Sequence, residues 1–502
     1  MTSAAAEPRA VPGGLAEFLT SHPGGADMPL VHAEDRSATL GEVSWAARVL
    51  AGQLGPVAGA AVACVVDDAQ RAITAMFAAW LAGAVYVPVN GRLTSAEVRA
   101  QLAAAGPAAV VTGPAGQAKA PRHLNLLVEQ PGGIWVPYRS GPRPAVRRFA
   151  RDEAIILRTS GTTGDPKPVV LHHAGVRDGI DTVIARLRGG RRATHPPMPN
   201  LIPTSMALWA GIWNALFAFR IGAPVILLNR FDPAVYAALV KGFGIRSTIL
   251  APAMMTALTE AAEITDLAPL RYVRSVTAPL APDQARRFRA RFGVDVLNSY
   301  GQTELGSEVA GWTAADIREF GAAKLGAVGR AHPGVAIRIL GEDQAGLPPD
   351  TTGEIWIRSP FATGDDGSGR VVDGFLRTGD LGRLDADGFL WVEGRVSDMI
   401  NRGGLKIVPQ EVEEALRRHP GVADACVAGV PDARLGEVPV AWVRLRPGAQ
   451  PGEPELLAFV RGSLAGYKTP VAVRFVDDFP RTEIGKILRR ELVAGFDGTE
   501  RA

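Results

Sequence analysis

This 502-residue chain is poor in cysteine, with only Cys64 and Cys426, far apart and each among apolar neighbours. That argues against a disulfide framework. The two read as small buried hydrophobes in a reducing compartment, so a cytoplasmic protein is expected. Net charge is equally scarce, since 54 Lys and Arg against 51 Asp and Glu leave a formal +3. Nothing in that balance calls for a nucleic-acid partner, and the cluster Arg186, Arg188, Arg191 and Arg192 around a Gly-Gly pair reads as a solvated loop. The N-terminus, MTSAAAEPRAVPGG, lacks a basic start followed by an apolar run, so residues 1–15 are expected to be a floppy tail rather than a signal peptide. Long apolar runs are missing too, with one near-exception. Ala72–Val89 is uncharged for 18 residues, close to the minimum for a membrane span, but Gly83 and Pro88 divide it and its end turns to Val and Tyr. A buried helix followed by a buried strand explains it better, and no membrane span is expected. There are no internal repeats.

The length predicts at least two domains, and 47% apolar against 21% charged residues suits a globular enzyme. Along the first part, helix-like and strand-like segments alternate: Glu42–Leu54, Ala60–Val66, Arg71–Ala82, Val85–Val89, Ser95–Ala105 and Ala108–Val111, then Ala234–Phe243, Ser247–Leu250, Pro282–Phe292 and Val294–Leu297. Such order implies α/β architecture, with parallel-rich sheets covered by helices. From Gly326 the segments become short strands between turns, a smaller β-rich unit. After Gly394–Arg395 comes a compact α+β set. The expected domains are residues 16–396 and a C-terminal unit of residues 397–502.

The chemistry-bearing residues fall in short segments. Arg158–Pro168 reads RTSGTTGDPKP and follows a predicted strand, Asp152–Leu157. Glycines allow close approach of the backbone to a ligand, hydroxyls and amides supply donors, and a lysine adds a point charge. Ser160, Gly161, Thr162, Thr163, Gly164 and Lys167 together suit a polyphosphate, in a spacing that is not the common P-loop. Asn298–Glu304, NSYGQTE, follows a strand, where open α/β sheets bind ligands. There Tyr300 offers a flat ring for a base, Thr303 a hydroxyl for phosphate, and Glu304 a hard oxygen for Mg²⁺. In FLRTGDL, Asp380 can accept two hydrogen bonds from a ribose diol. In GRVSDMINRGG, Arg395 can reach ribose or phosphate. Lys486 sits on a glycine-containing turn before a basic helix in PRTEIGKILRREL.

In this order the segments resemble the adenylate-forming superfamily of acyl-CoA synthetases, peptide-synthetase adenylation domains and beetle luciferases, most like an acyl-CoA synthetase. The likeness runs from about Leu40 to Leu492 and is carried by TSGTTGDPK, YGQTE, RTGDLG, GRVSDMI, GGLKIVPQEVE and PRTEIGKILRREL. It implies a large N-terminal domain, a small mobile C-terminal domain and an active site between them. It implies that Thr159–Lys167 hold the β- and γ-phosphates of ATP, and that Tyr300, flanked by Ser299 and Gly301, stacks near adenine beside a wall of Val276, Thr277 and Ala278. Thr303 and Glu304 then serve phosphate and Mg²⁺, Asp380 and Arg395 hold the ribose, and Lys486 bridges the carboxylate and the α-phosphate. A turn of the C-terminal domain about Ser397 would swing Lys486 away and bring the Gly403–Gly404 loop in for thioester formation with coenzyme A.

Four positions depart from the family pattern. Pro168 stands where glycine is usual, and proline removes an amide donor and fixes φ. The hinge carries Ser397, the residue at the usual aromatic or histidine gate is Leu208, and a Gly/Asp-rich stretch, Thr363–Gly369, precedes FLRTGD. No carboxylate lies within Ser205–Phe219 to pair with an α-ammonium, so the acid is expected to lack one. Leu208, Trp209, Gly211, Ile212 and Trp213 are the expected acyl-pocket residues, with Thr277 and the Asn298–Ser299 wall. The resemblance thus implies an ATP-dependent carboxylic acid:CoA ligase working through acyl-AMP, with ATP, Mg²⁺ and coenzyme A. Three alternatives stay open: an acyl-AMP ligase loading an acyl carrier protein, an enzyme of one half-reaction, and a catalytically lapsed nucleotide-binding scaffold.

Overall fold

The structure is a computed structural model. It describes residues 10–33, 36–130, 133–139, 147–159, 167–188, 197–321, 323–363, 369–481 and 487–496. Of the expected phosphate loop, residues 160–166 lie outside the described residues, as does Lys486.

The six residues of Ala61–Val66 (AVACVV) are all buried, as a strand covered on both faces requires. They form the centre of a seven-stranded sheet, in which Leu126–Gln130, Ala109–Thr112, Ala61–Val66, Val85–Asn90 and Glu153–Thr159 run parallel. Ile134–Arg139 and Lys167–His172 close its two edges antiparallel. The uncharged run of the sequence resolves into a helix, Ala69–Leu81, and the strand Val85–Asn90. Asp68 caps that helix through the Arg71 amide at 2.7 Å, and among the described residues no helix is long and apolar enough to cross a membrane. Pro168 sits second in the edge strand Lys167–His172, a place where a missing ladder donor is tolerated.

A four-stranded sheet combines Pro29–Ala33 and Arg36–Thr39 with Asn200–Ile202 and Val225–Leu227. A three-stranded parallel sheet, Ser247–Leu250, Tyr272–Ser275 and Asp295–Leu297, carries the ligand-facing loops at its carboxyl ends. From Ser299 the chain switches to an eight-stranded sheet whose pairs are all antiparallel, including the long neighbours Phe375–Leu384 and Phe389–Arg395. The change of periodicity near Gly326 marks part of that sheet, which begins earlier, at Ser299.

A 3₁₀ turn, Val396–Asp398, leads into a five-stranded sheet with the helices Pro409–Arg417 and Glu453–Arg461. Its core (Ile400, Ile407, Val412, Leu416, Val427, Ala441, Leu456 and neighbours) is separate from the cores of the larger part. Ion pairs bridge the two parts at the surface: Lys406–Glu342, Arg444–Glu260 at 3.6 Å and Arg446–Asp283 at 3.9 Å. The protein is a mixed α/β fold with a large N-terminal and a smaller C-terminal part. Cys64 and Cys426 are buried apart, and burial pushes both thiols up to about 12, which makes them inert hydrophobes.

Candidate active site

A cleft of about 2400 Å³ is lined from both parts. A pocket for one small ligand takes roughly 300–1,000 Å³, so this one has room for more than one reactant.

At one end, the pairing of Phe375–Leu384 with Phe389–Arg395 sets Asp380 directly opposite Arg395. Gly379 takes φ +72°, a left-handed turn that a side chain would oppose, just before the carboxylate. Asp380 is 4% exposed and already well served. The Tyr300 hydroxyl donates to its Oδ2 at 2.5 Å, Gln302 Nε2 donates to the same oxygen at 2.7 Å, and Arg395 Nε lies 2.9 Å from Oδ1. Burial first, and the Asp380 charge second, hold the Tyr300 phenol well above its ordinary range, so it stays protonated and donates. A carboxylate offers about four acceptor sites. Three protein donors therefore leave less than the two bonds a ribose diol needs. Gln302 also reaches the Thr378 carbonyl at 3.1 Å, so it is the donor with an alternative partner when a diol arrives.

Thr303 and Glu304 open a short 3₁₀ helix on the cleft wall. Glu304 Oε1 lies 3.3 Å from Arg370 Nη2. One carboxylate beside a hydroxyl fits Mg²⁺, which keeps several waters and takes one or two carboxylates plus substrate phosphates. The wall Val276–Ala278 follows the strand Tyr272–Ser275. Within it Thr277 has φ +74°, strained for a β-branched residue and of order 1–3 kcal/mol. Lys167, Ser299, Tyr300 and Gly301 line the same cleft.

The other end is aromatic. Leu208 precedes the helix Trp209–Ile221 as its N-cap, and Leu208, Trp209 and Trp213 line the cleft. Phe217, one turn on, stacks on Trp213 with centroids 5.4 Å apart. Two expected pocket residues are corrected. Ile212 faces the opposite way and is fully buried in the main core. Gly211 is there for space: a Cβ would come 2.3 Å from the Ser205 carbonyl oxygen.

Sequence reasoning missed a charged cluster that lines the same cleft. Arg186 was placed in a solvated loop, yet it belongs to the helix His173–Arg188 and donates from Nη1 to His332 Nδ1. Arg191 and Arg192 lie outside the described residues. Because Arg186 can only donate, the His332 proton sits on Nε2 and is donated to Glu308 Oε1 at 2.7 Å. Arg274 Nη1 meets the same oxygen at 2.8 Å, and its Nη2 donates to the Trp312 carbonyl at 3.1 Å. Burial alone would raise the Glu308 carboxyl, but Arg274 and His332 outweigh it and hold it below its ordinary value, so it is ionised. The one available signal was Glu308 itself, four residues after the YGQTE motif ends.

From the C-terminal part, Arg481, Leu488, Arg489 and Glu491 face the cleft. Arg481 and Ile487 pair across the segment that carries Lys486. Arg489 is held by Glu413 at 2.7 Å and by Asp398 at 3.6 Å. Gly403 and Gly404, expected at the cofactor, are exposed and off the cleft wall; in this arrangement their hairpin closes on the Leu435 carbonyl at 2.7 Å and the Asn401 side chain at 3.0 Å.

The chain belongs to the AMP-binding enzyme family, whose profile matches residues 27–364, with the AMP-binding enzyme C-terminal domain matching residues 411–486. It is an adenylate-forming ligase similar to acid–CoA ligases. It is 31% identical to a fatty acid–[acyl-carrier-protein] ligase of Streptomyces coeruleorubidus over 94% of both chains. It is 29% identical to a sulfoacetate–CoA ligase of Cupriavidus necator over 87% of both. ATP-bound MatB of Rhodopseudomonas palustris superposes with a TM-score of 0.85 at 27% identity, covering 97% of this chain and 99% of that one. The same MatB without ligand gives 0.74 at the same coverage. The chain thus superposes better on the ATP-bound form.

Proposed function

We propose that this protein is an ATP-dependent carboxylic acid:CoA ligase acting through an acyl-AMP intermediate, on an acid without an α-amino group. The observation that carries the reading is the meeting, in one cleft, of the Tyr300–Gln302–Asp380–Arg395 cluster with the C-terminal residues Arg481 and Leu488 that flank Lys486. The acid's carboxylate attacks the α-phosphate of ATP, which releases pyrophosphate. Charge grows on the α-phosphoryl oxygens and the leaving group, so cations and donors do most of the catalytic work. Lys486 bridges carboxylate and α-phosphate, Asp380 and Arg395 hold the ribose, and the Thr159–Lys167 segment holds the β- and γ-phosphates. Thr303 and Glu304 would hold phosphate and Mg²⁺, which neutralises phosphate charge when bound. The Trp209–Trp213–Phe217 wall takes the acyl group, and the absence of any carboxylate on that helix supports an acid lacking an ammonium.

In the second step the coenzyme A thiol displaces AMP after the C-terminal part turns about Ser397 and brings Gly403–Gly404 to the cleft. A second reading, delivery to a carrier-protein phosphopantetheine, is favoured by the likeness to a fatty acid–[acyl-carrier-protein] ligase. The test is acid-dependent exchange of labelled pyrophosphate into ATP over an acid panel, with thioester formation measured beside it for coenzyme A and for truncated pantetheine. Exchange together with a strong preference for whole coenzyme A is expected. Equal use of pantetheine favours the carrier reading, thioester without exchange leaves a half-reaction enzyme, and neither leaves a lapsed scaffold.

A further inference from the structure

We propose that the acid this enzyme activates carries a second anionic group, distal to the reacting carboxylate, which docks on Arg186. The inference rests on the adenylate-forming reading of the cleft and adds the substrate class.

The argument is one of charge. Val183, Arg186 and Leu187, spaced i, i+3, i+4, put one face of the helix His173–Arg188 on the wall of the cleft that Trp213 and Phe217 also line. The cluster there holds two guanidiniums and one carboxylate, joined through the His332 ring, which accepts from Arg186 at Nδ1 and donates to Glu308 from Nε2. Arg274 and Glu308 cancel. Asp316, the next carboxylate, is committed to Arg330 and to the Thr313 hydroxyl and amide. One positive charge is left over, and it belongs to Arg186.

Arg186 is also under-bonded. Its Nη1 is bound to His332, and its Nη2 has no partner among the described residues. A guanidinium has five N–H donors in a fork that matches a carboxylate or sulfonate. Half-buried on the cleft wall and without a counterion of its own, it gains from an anion that joins it. Glu308 cannot be that partner, because Arg274 at 2.8 Å and His332 at 2.7 Å already take it, and for the same reason it offers no free charge to a substrate ammonium. The hydroxyl Oγ of Ser307 adds a second observation: it is buried, lines the same cleft, and has no hydrogen-bond partner among the described residues. A purely alkyl or aryl acid would satisfy neither group. An acid ending in a carboxylate or sulfonate would satisfy the guanidinium and restore the local balance to zero.

The experiment uses the full-length protein and acids in matched pairs that differ only in a terminal carboxylate, such as hexanoate with adipate and phenylacetate with 4-carboxyphenylacetate. Pyrophosphate exchange gives kcat/KM, and the corresponding acylsulfamoyl-adenosines, which cannot react, give Kd by calorimetry. In at least one pair the anionic-ended member should be favoured by roughly 10-fold or more, as expected for charge-assisted hydrogen bonds. Arg186→Met should erase that preference while changing the neutral member by less than about 3-fold, and Arg186→Lys should keep part of it. Equal or better use of the neutral members by the wild type, with exchange intact, overturns the inference and leaves the ligase reading standing. Discrimination in Kd without exchange by any acid leaves the subsite standing and removes the ligase reading. A preference that survives both substitutions, or no binding by either mimic, overturns the inference. Should Arg186→Met fail to fold, judged by loss of AMP binding, Arg186→Gln takes its place against the same criterion.

Discussion

The cleft has two polar clusters, and they are built by opposite routes. The nucleotide-end cluster takes Tyr300 and Gln302 from one motif and Asp380 and Arg395 from two strands in direct register. The acyl-end cluster takes Arg186 from a helix, Arg274 from a strand, Glu308 from the next sheet and His332 from the turn beyond it. The first is centred on an anion surrounded by donors. The second is centred on an anion that Arg274 neutralises and His332 hydrogen-bonds, with a cation to spare. A nucleotide site must present the same ribose and phosphates every time, whereas an acyl site must distinguish one acid from others, and on the proposed reading the distinguishing feature is charge.

The largest effect that separates the two ends concerns Lys486. If it bridges carboxylate and α-phosphate, Lys486→Ala should slow acyl-AMP formation by about 10²–10³-fold, as for loss of a transition-state donor. Thioester formation from supplied acyl-AMP should survive far better, and an equal loss in both steps would end the role assigned to it. Asp380→Ala should come next. Losing two charge-assisted bonds of roughly 1.5–3 kcal/mol each at most should weaken ATP binding measured by calorimetry. A folded variant with wild-type affinity would make Asp380 purely structural.

Glu308 tests the other end through stability. Its folded pKa is depressed below an ordinary 4.5, so its contribution is present above that value and is lost as pH falls through the lower folded one. Glu308→Gln should therefore cost about 1–3 kcal/mol at neutral pH in chemical denaturation. The gap from wild type should narrow as pH drops below 4.5; a gap that stays constant with pH would show that the ion pair is not its source. The smallest effect belongs to the wall between the ends. Thr277→Gly removes the strain at φ +74° and should gain of order 1 kcal/mol less the entropy of the added glycine, a rise of a few degrees or less in Tm. A fall in Tm would mean that the threonine side chain makes up for its backbone.

The same contrast explains what could be read in the sequence. Contiguous motifs announce themselves, so Tyr300, Glu304, Asp380 and Arg395, which line one cleft, could be singled out before any fold was known, and the buried strand Ala61–Val66 and the helix Pro282–Phe292 followed from patterning and turn residues. The acyl-end cluster spans 146 residues between Arg186 and His332, and no local pattern joins them. Arg186 was misread because its neighbours Arg188, Arg191 and Arg192 made a basic run, and a run suggests solvent. Ile212 and Gly211 were misassigned because a helix apolar on most of its circumference, with only Asn214 and Arg220 polar, does not reveal which face meets the ligand.

The bridges between the two parts carry a consequence of their own. Lys406–Glu342 is half-exposed or more on both sides, and the pairs from Arg444 and Arg446 are long, at 3.6 and 3.9 Å. Exposed pairs of this kind are worth about 0–1 kcal/mol each and are screened over a Debye length of about 8 Å at physiological ionic strength. Salt therefore becomes a dial on the domain equilibrium: raising it should release the C-terminal part from this arrangement while leaving the buried Asp380 and Glu308 clusters in place. On the proposed two-step reading, a clasp that weak would hold the reactant complex together and still give way on every turnover.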